Sequence, residues 1–353
     1  LLEKSVTGTL KLKIINNSSS TQTLTFSVSG GYSTNKLSDV DVPSTYSEIT
    51  TMETTSSNTY FCETNTSDAL SQGLNYVDGQ YTYSYMQEGS YGTTKLGWIN
   101  IDANGWGVQL SNKASTDAVT SNVCTYINNK PIVSMVRMFF SSAASTINLN
   151  INTSNVTNMN LMFGNTKITE LDLSNFDTSK VTNMTKMFSG CAANELDLSG
   201  FNTSNVKSMD WMFYNSKATA INLSGFNTSN VTTMADMFAC SKVTTLDLSN
   251  FNTSNVTSMS EMFLEAIVTT IDLNSFDTSK VVTMAGMFTD SSITDVKGIE
   301  KFNTSNVTDL SSMFWRTKFV TLDLSSFDTS KVTRMVEMFM NSENLKAIYV
   351  SDK

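Results

Sequence analysis

The sequence predicts an α/β solenoid of 25-residue repeats, each a short parallel strand followed by a short helix, behind a smaller β-rich domain. Three observations predict it. Met-Phe recurs with its phenylalanine at 139, 163, 188, 213, 238, 263, 288, 314 and 339, a period of 24 to 26 residues. Asn/Asp-Thr-Ser recurs in register upstream, with threonines from Thr153 to Thr329. Residues 1–128 lack the repeat. Self-similarity at a fixed period marks a solenoid, because one unit cannot bury its own apolar face and stacked units can.

One unit, Leu171 to Glu195, shows how each part follows from its residues. Leu171-Asp172-Leu173 alternates apolar and polar residues, so a short strand points both leucines inward. Phe176 fills the bend. Asp177-Thr178-Ser179 is a turn whose side chains bond nearby backbone groups. Val181, Met184, Met187 and Phe188 fall at i, i+3, i+6 and i+7, the spacing of one face of a short helix. Ser189-Gly190 ends it.

The array is expected to occupy residues 129–353, about eight or nine units. Pro131 to Met135 reads as a helix start with proline in the first turn. Val296-Lys297-Gly298-Ile299 carries one extra residue, so a bulge is expected there. In the N-terminal part, Leu10, Leu12 and Ile14 alternate with polar residues, as do Leu24, Phe26 and Val28, which predicts a hairpin. Val77 to Gln80 is a turn before an alternating strand at Tyr81, Tyr83 and Tyr85. Trp98 to Ile101 and Trp106 to Leu110 form a further pair, and Ser67 to Leu74 a short helix. The whole suggests a sandwich-like β domain over residues 1–128.

The unit L-D-L-S-x-F-[DN]-T-S-[KN]-V-T-x-M-x-x-M-F resembles the BspA-like leucine-rich-repeat family of bacterial surface proteins, across residues 129–353. The resemblance implies an α/β leucine-rich-repeat solenoid, an extracellular or cell-surface location, and an adhesion role with a host or neighbouring-cell protein or glycan as partner. Similar arrays in phage-like contexts give the alternative of a virion decoration or tail protein that self-assembles.

Composition narrows the function. The net charge of -9 and the lack of a basic cluster argue against nucleic acid. Histidine is absent, which removes the commonest general base and zinc ligand. No phosphate loop or isolated carboxylate pair stands out, so no enzyme, cofactor or metal is expected. No apolar run is long enough to span a bilayer. Only 16% of residues are charged, and a neutral, hydroxyl-rich surface suits a secreted protein. Cys62 and Cys124 are candidates for pairing. Cys191 and Cys240 lie two coils apart, about 10 Å, beyond the roughly 7 Å a disulfide spans, so both are expected free and buried.

Two sets of residues are candidate binding sites. The outward residue of each strand forms a column, Asp172, Asp197, Asn222, Asp247, Asp272, Lys297 and Asp323, with Asn148 before it and Tyr349 after it. It reads either as a ligand-facing acidic stripe, for a basic partner, a sugar or calcium, or as carboxylates that bond neighbouring backbone and hydroxyl groups. Trp211, Tyr214 and Trp315 depart from the repeat consensus and are candidate aromatic contacts. The tyrosines and tryptophans of the first domain are either a carbohydrate platform or strand core. The methionines read as core filler.

Overall fold

The computed structural model describes residues 10–14, 22–27, 36–42, 47–52, 60–62, 75–86 and 104–351. The expected helix at 67–74 and strand at 98–101 lie outside these residues.

The described N-terminal part is built of strands. β1 (Leu10–Ile14) pairs antiparallel with β4 (Ser47–Met52), and β2 (Gln22–Ser27) with β3 (Lys36–Val42). The expected β1–β2 hairpin is therefore incorrect. Alternation marks a strand and its inward face but does not choose the partner strand. A six-stranded sheet follows, in the order β5-β9-β10-β8-β7-β6. Its members are β5 (Phe61–Cys62), β6 (Asn75–Asp78), β7 (Tyr81–Met86), β8 (Gly105–Leu110), β9 (Tyr126–Ile127) and β10 (Lys130–Ser134). The expected strand at Tyr81 to Tyr85 is β7, and it forms a hairpin with β6. The turn is narrower than expected, Gly79-Gln80 with Gly79 at φ 53, since Val77 and Asp78 belong to β6. Tyr81, Tyr83, Tyr85 and Trp106 are buried, so they are core and not a sugar platform.

Pro131 opens a strand and not a helix. The β-branched Ile132 and Val133 that follow suit a pleated surface, and Ile132 donates to the Thr125 carbonyl at 2.9 Å. β10 lies parallel to β8, with Ile132 opposite Trp106. The coil stack starts one layer before the repeat sequence does. Leu110 donates to the Met138 carbonyl, Ala143 donates to the Lys113 carbonyl, and Val119 bridges to Ile147. The hydrophobic core runs unbroken from Tyr81 to Met338.

Within the repeats, the expected strands form in six coils, whereas residues 171–173 and 246–248 are not strands and Ile147 makes only a single bridge to Val119. β11 (Glu195–Asp197) pairs in parallel with β12 (Ala220–Asn222), β13 (Thr270–Asp272) with β14 (Asp295–Lys297), and β15 (Thr321–Leu324) with β16 (Ala347–Val350). Their inward residues stack in register, Leu196 on Ile221 and Ile271 on Val296.

The expected helix is absent, and the α/β leucine-rich-repeat assignment is corrected with it. Among the described residues the only helical element is a three-residue 3-10 turn, Ile299–Lys301, which takes up the extra residue after Gly298. The Met-x-x-Met-Phe segment is a run of tandem turns. Two residues per coil are left-handed, Lys186 and Gly190 in one, Trp211 and Asn215 in the next. A right-handed helix cannot contain them. Met187 donates to the Met184 carbonyl at 3.1 Å, and Cys191 to the Phe188 carbonyl at 3.1 Å. Each closes a turn with positive φ at its third position, as a type II turn requires. The intervening N–H groups point to the next coil: Lys186 to Asp210, Phe188 to Met212 and Gly190 to Tyr214, at 2.7 to 2.9 Å. A helix would satisfy these donors inside its own segment. Here both faces of the solenoid are bonded from coil to coil.

Two side-chain ladders lock the coils. The Met-Phe rings stack face to face from Phe139 to Phe339 at centroid distances of 5.5 to 5.9 Å. Buried threonines form the second. Thr203 accepts the Asn227 N–H at 2.8 Å and donates to the Asn227 carbonyl at 2.9 Å. The Asn/Asp ahead of each threonine accepts the serine N–H two residues on, as Asp177 does from Ser179 at 3.0 Å. The motif is turn and ladder chemistry, as its sequence indicates.

Candidate functional site

The solenoid presents two long faces, and the predicted site residues divide between them. On the strand face, the column lies outward and exposed, as its alternation predicts. Its members are engaged by their own turns. Asp172, Asp197, Asn222, Asp247 and Asp323 accept a serine N–H two residues on, and Asp272 that of Asn274, all at 2.9 to 3.1 Å. Asn222 also donates to Asp197 at 3.0 Å. The Ser174 hydroxyl and N–H hold the Asp172 carboxyl below the ordinary carboxylate value, and Ser249 and Ser325 do the same for Asp247 and Asp323. Lys297 interrupts the run and pairs in register with Asp272. A shallow depression lined by Leu149, Glu170, Leu171 and Asp172 lies where the short first unit meets the second.

The turn-ladder face differs from coil to coil. Trp211 and Tyr214 are half-exposed and touch, with ring centroids 4.7 Å apart. The Lys186 ammonium lies 4.6 Å from the Trp211 ring centroid, a cation–π contact. These three make one patch. Trp315 sits four coils away, half-exposed, with the Arg316 guanidinium 5.3 Å from its ring centroid and Arg316 paired to Asp290 at 3.5 Å. The structure thus joins two of the three predicted aromatic contacts and separates the third.

Between them lies an acidic stretch that consensus reading passed over. Asp210 accepts the Thr233 hydroxyl at 2.5 Å and the Ala235 N–H at 2.9 Å. Asp236 is 6% exposed, and its Oδ1 has no hydrogen-bond partner in the structure. Burial, followed by the neighbouring Glu261 and Asp210 carboxylates, pushes the Asp236 carboxyl up to about 7, against a smaller opposing pull from Lys186. The available signal was departure from the repeat: Lys186, Trp211, Asp236 and Glu261 hold the same variable position in successive coils.

Cys62 and Cys124 form a disulfide with Cα atoms 5.8 Å apart. With Asp78 they are the one trio of ligand-type side chains close enough for a metal ion among the described residues, and the disulfide takes up both sulfurs. Cys191 and Cys240 are free, as expected. Cys191 is buried, and burial pushes its thiol up to about 11, whereas Cys240 is only half-buried. No described helix is long and apolar enough to cross a membrane.

Coil-to-coil bonding on both faces, two internal ladders and 25-residue coils define a parallel β-solenoid-like repeat protein. The family described as "Mycoplasma protein of unknown function, DUF285" matches residues 133–245, 215–297 and 239–351, and the chain belongs to that family. No curated protein and no solved structure matches it.

Proposed function

We propose that this chain is a non-enzymatic, surface-exposed recognition module that contacts a protein or glycan through the turn-ladder face of its solenoid. One observation carries the reading. The left-handed positions of that face favour Gly, Asn and Asp on backbone grounds, yet Leu161, Lys186, Trp211, Glu261 and Arg316 occupy them. Strained positions held by unfavourable residue types point to a role for the side chain. The strand face supports the opposite assignment, since its carboxylates are spent on their own turns. The sequence resemblance to BspA-like surface proteins supports an extracellular setting and an adhesion role.

The test is binding of the full chain to an epithelial cell panel and a glycan array. It compares Lys186→Ala/Trp211→Ala/Tyr214→Ala with Asp172→Asn/Asp197→Asn/Asp247→Asn/Asp272→Asn. The reading expects loss in the first variant and retention in the second. The reverse pattern moves recognition to the strand face and overturns it. Absence of binding to both panels would overturn it as well.

A further inference from the structure

The turn-ladder face contains a groove that deepens the recognition reading and rests on it. In the column of variable left-handed positions, Glu261, Gly286, Ser312 and Glu337 follow one another on successive coils. Gly286 has no side chain, Ser312 a small one, and Ala285 and Ser311 beside them are small as well. The result is a shallow groove of about 370 Å³. Its floor is held by coil-to-coil bonds, Glu261 to Ala285, Gly286 to Ser311 and Ser312 to Val336, each 2.8 Å. Leu264 and Trp315 line it on the apolar side, and Asp309 and Arg334 on the polar side.

The charges in this groove do not balance. Arg334 is committed to Asp309 at 3.6 Å. Glu261 and Glu337 stand exposed at the two ends, and neither has an ion pair among the described residues. Trp315 already carries one cation against its ring, the Arg316 guanidinium. A carboxylate at each end, an aromatic and aliphatic wall between, and no free cation match an alkyl chain that ends in ammonium. A phosphate would be repelled by both carboxylates.

We propose that the groove binds the lysine side chains of an extended basic peptide segment on a protein partner. Glu261 and Glu337 are three coils apart, and each step is set by ring spacings of 5.5 to 5.8 Å. Two lysines four residues apart in an extended chain are separated by about 13 Å, and their flexible stems cover the remainder.

The experiment is titration calorimetry of the full chain at low salt with a Gly/Ser peptide carrying two lysines four residues apart. The same peptide with both lysines acetylated, and free spermidine, are run beside it. The expected result is saturable binding of the lysine peptide only. Binding weakens at least tenfold in Glu261→Gln/Glu337→Gln and stays within twofold in Asp172→Asn/Asp197→Asn, which removes the same charge from the other face. Equal weakening in both variants, equal binding of the acetylated peptide, or no binding would overturn the proposal. Binding of spermidine without the peptide would overturn the peptide assignment and leave a free amine as the ligand. Cell or glycan binding that depends on Trp211 and Tyr214 while the lysine peptide fails would sink this inference alone.

Discussion

Thr228 clasps Asn252 of the next coil with two hydrogen bonds from one hydroxyl. It accepts the Asn252 N–H at 2.8 Å and donates to the Asn252 carbonyl at 2.9 Å. Thr228 is fully buried, while Asn252 on the neighbouring coil is exposed. The same clasp recurs from Thr153 to Asp177 and from Thr304 to Asp328.

Thr228→Val keeps the shape and removes both bonds. It leaves the Asn252 N–H and carbonyl without that partner, at about 0.5–1.5 kcal/mol for each bond lost. Thr228→Ser keeps the hydroxyl and loses only a methyl group, so it is expected to cost less. Urea denaturation of the three proteins checks the order; a valine variant as stable as wild type would contradict the clasp.

The pH dependence has an unusual contribution from Asp236. Its folded value, about 7, lies above the ordinary carboxyl value of 3.8. The native state therefore holds this proton more tightly than the unfolded chain does. Stability from this group is fully present below about pH 4 and is lost as pH rises toward 7. Asp236→Asn should raise the melting temperature at pH 8 and change it little at pH 4. The strand-face aspartates have lowered values, so their contribution runs the other way and fades as the pH falls. Melting curves at both pH values separate the two signs, and an Asp236→Asn variant that is less stable at pH 8 would reject the assignment.

Cys62 and Cys124 close a loop of 62 residues' separation. Loop-closure entropy puts such a crosslink at about 2–4 kcal/mol. The bond ties Cys62 of β5 to Cys124, two residues ahead of β9. Reduction is expected to raise amide exchange across β5 and β9 while exchange in the coils from Val156 to Phe314 stays protected. Uniform loss of protection along the chain would show that sheet and solenoid unfold as one unit.

The period, the strands and the turn motif were legible because each depends on residues that alternate or repeat within a few positions. Leu196-Asp197-Leu198 gives a strand by period two, and Asn202-Thr203-Ser204 gives an Asx turn by its own side chains. The helix was misread because Val181, Met184, Met187 and Phe188 also face inward when the chain makes successive turns around one core. Apolar spacing over eight residues does not separate the two. The residues that do are Asn165, Gly190, Asn215, Gly286 and Asn341, left-handed-compatible residues at two fixed positions. Lys186, Trp211 and Glu261 at equivalent positions hide that signal. Strand pairing in the first part, and the early start of the stack at Leu110, depend on long-range contacts that no local pattern encodes. On the candidate site, the strand column was placed correctly as exposed, but its bonding to Ser174 or Ser249 and the acidic stretch around Asp236 emerged only from the coil stacking.

The replacement of a helix by tandem turns is the central structural claim, and Gly286→Ala tests it most directly. Gly286 lies inside Met284-Ala285-Gly286-Met287-Phe288 with φ at 65°, and an added Cβ would meet only the flexible Glu261 side chain closely. In a helix the change would stabilise the chain by about 1 kcal/mol. In a left-handed turn position it should destabilise by about 1–2 kcal/mol. Equilibrium urea unfolding of wild type and Gly286→Ala reads the sign. A lower midpoint is the predicted result, and a higher one would contradict the tandem-turn coil.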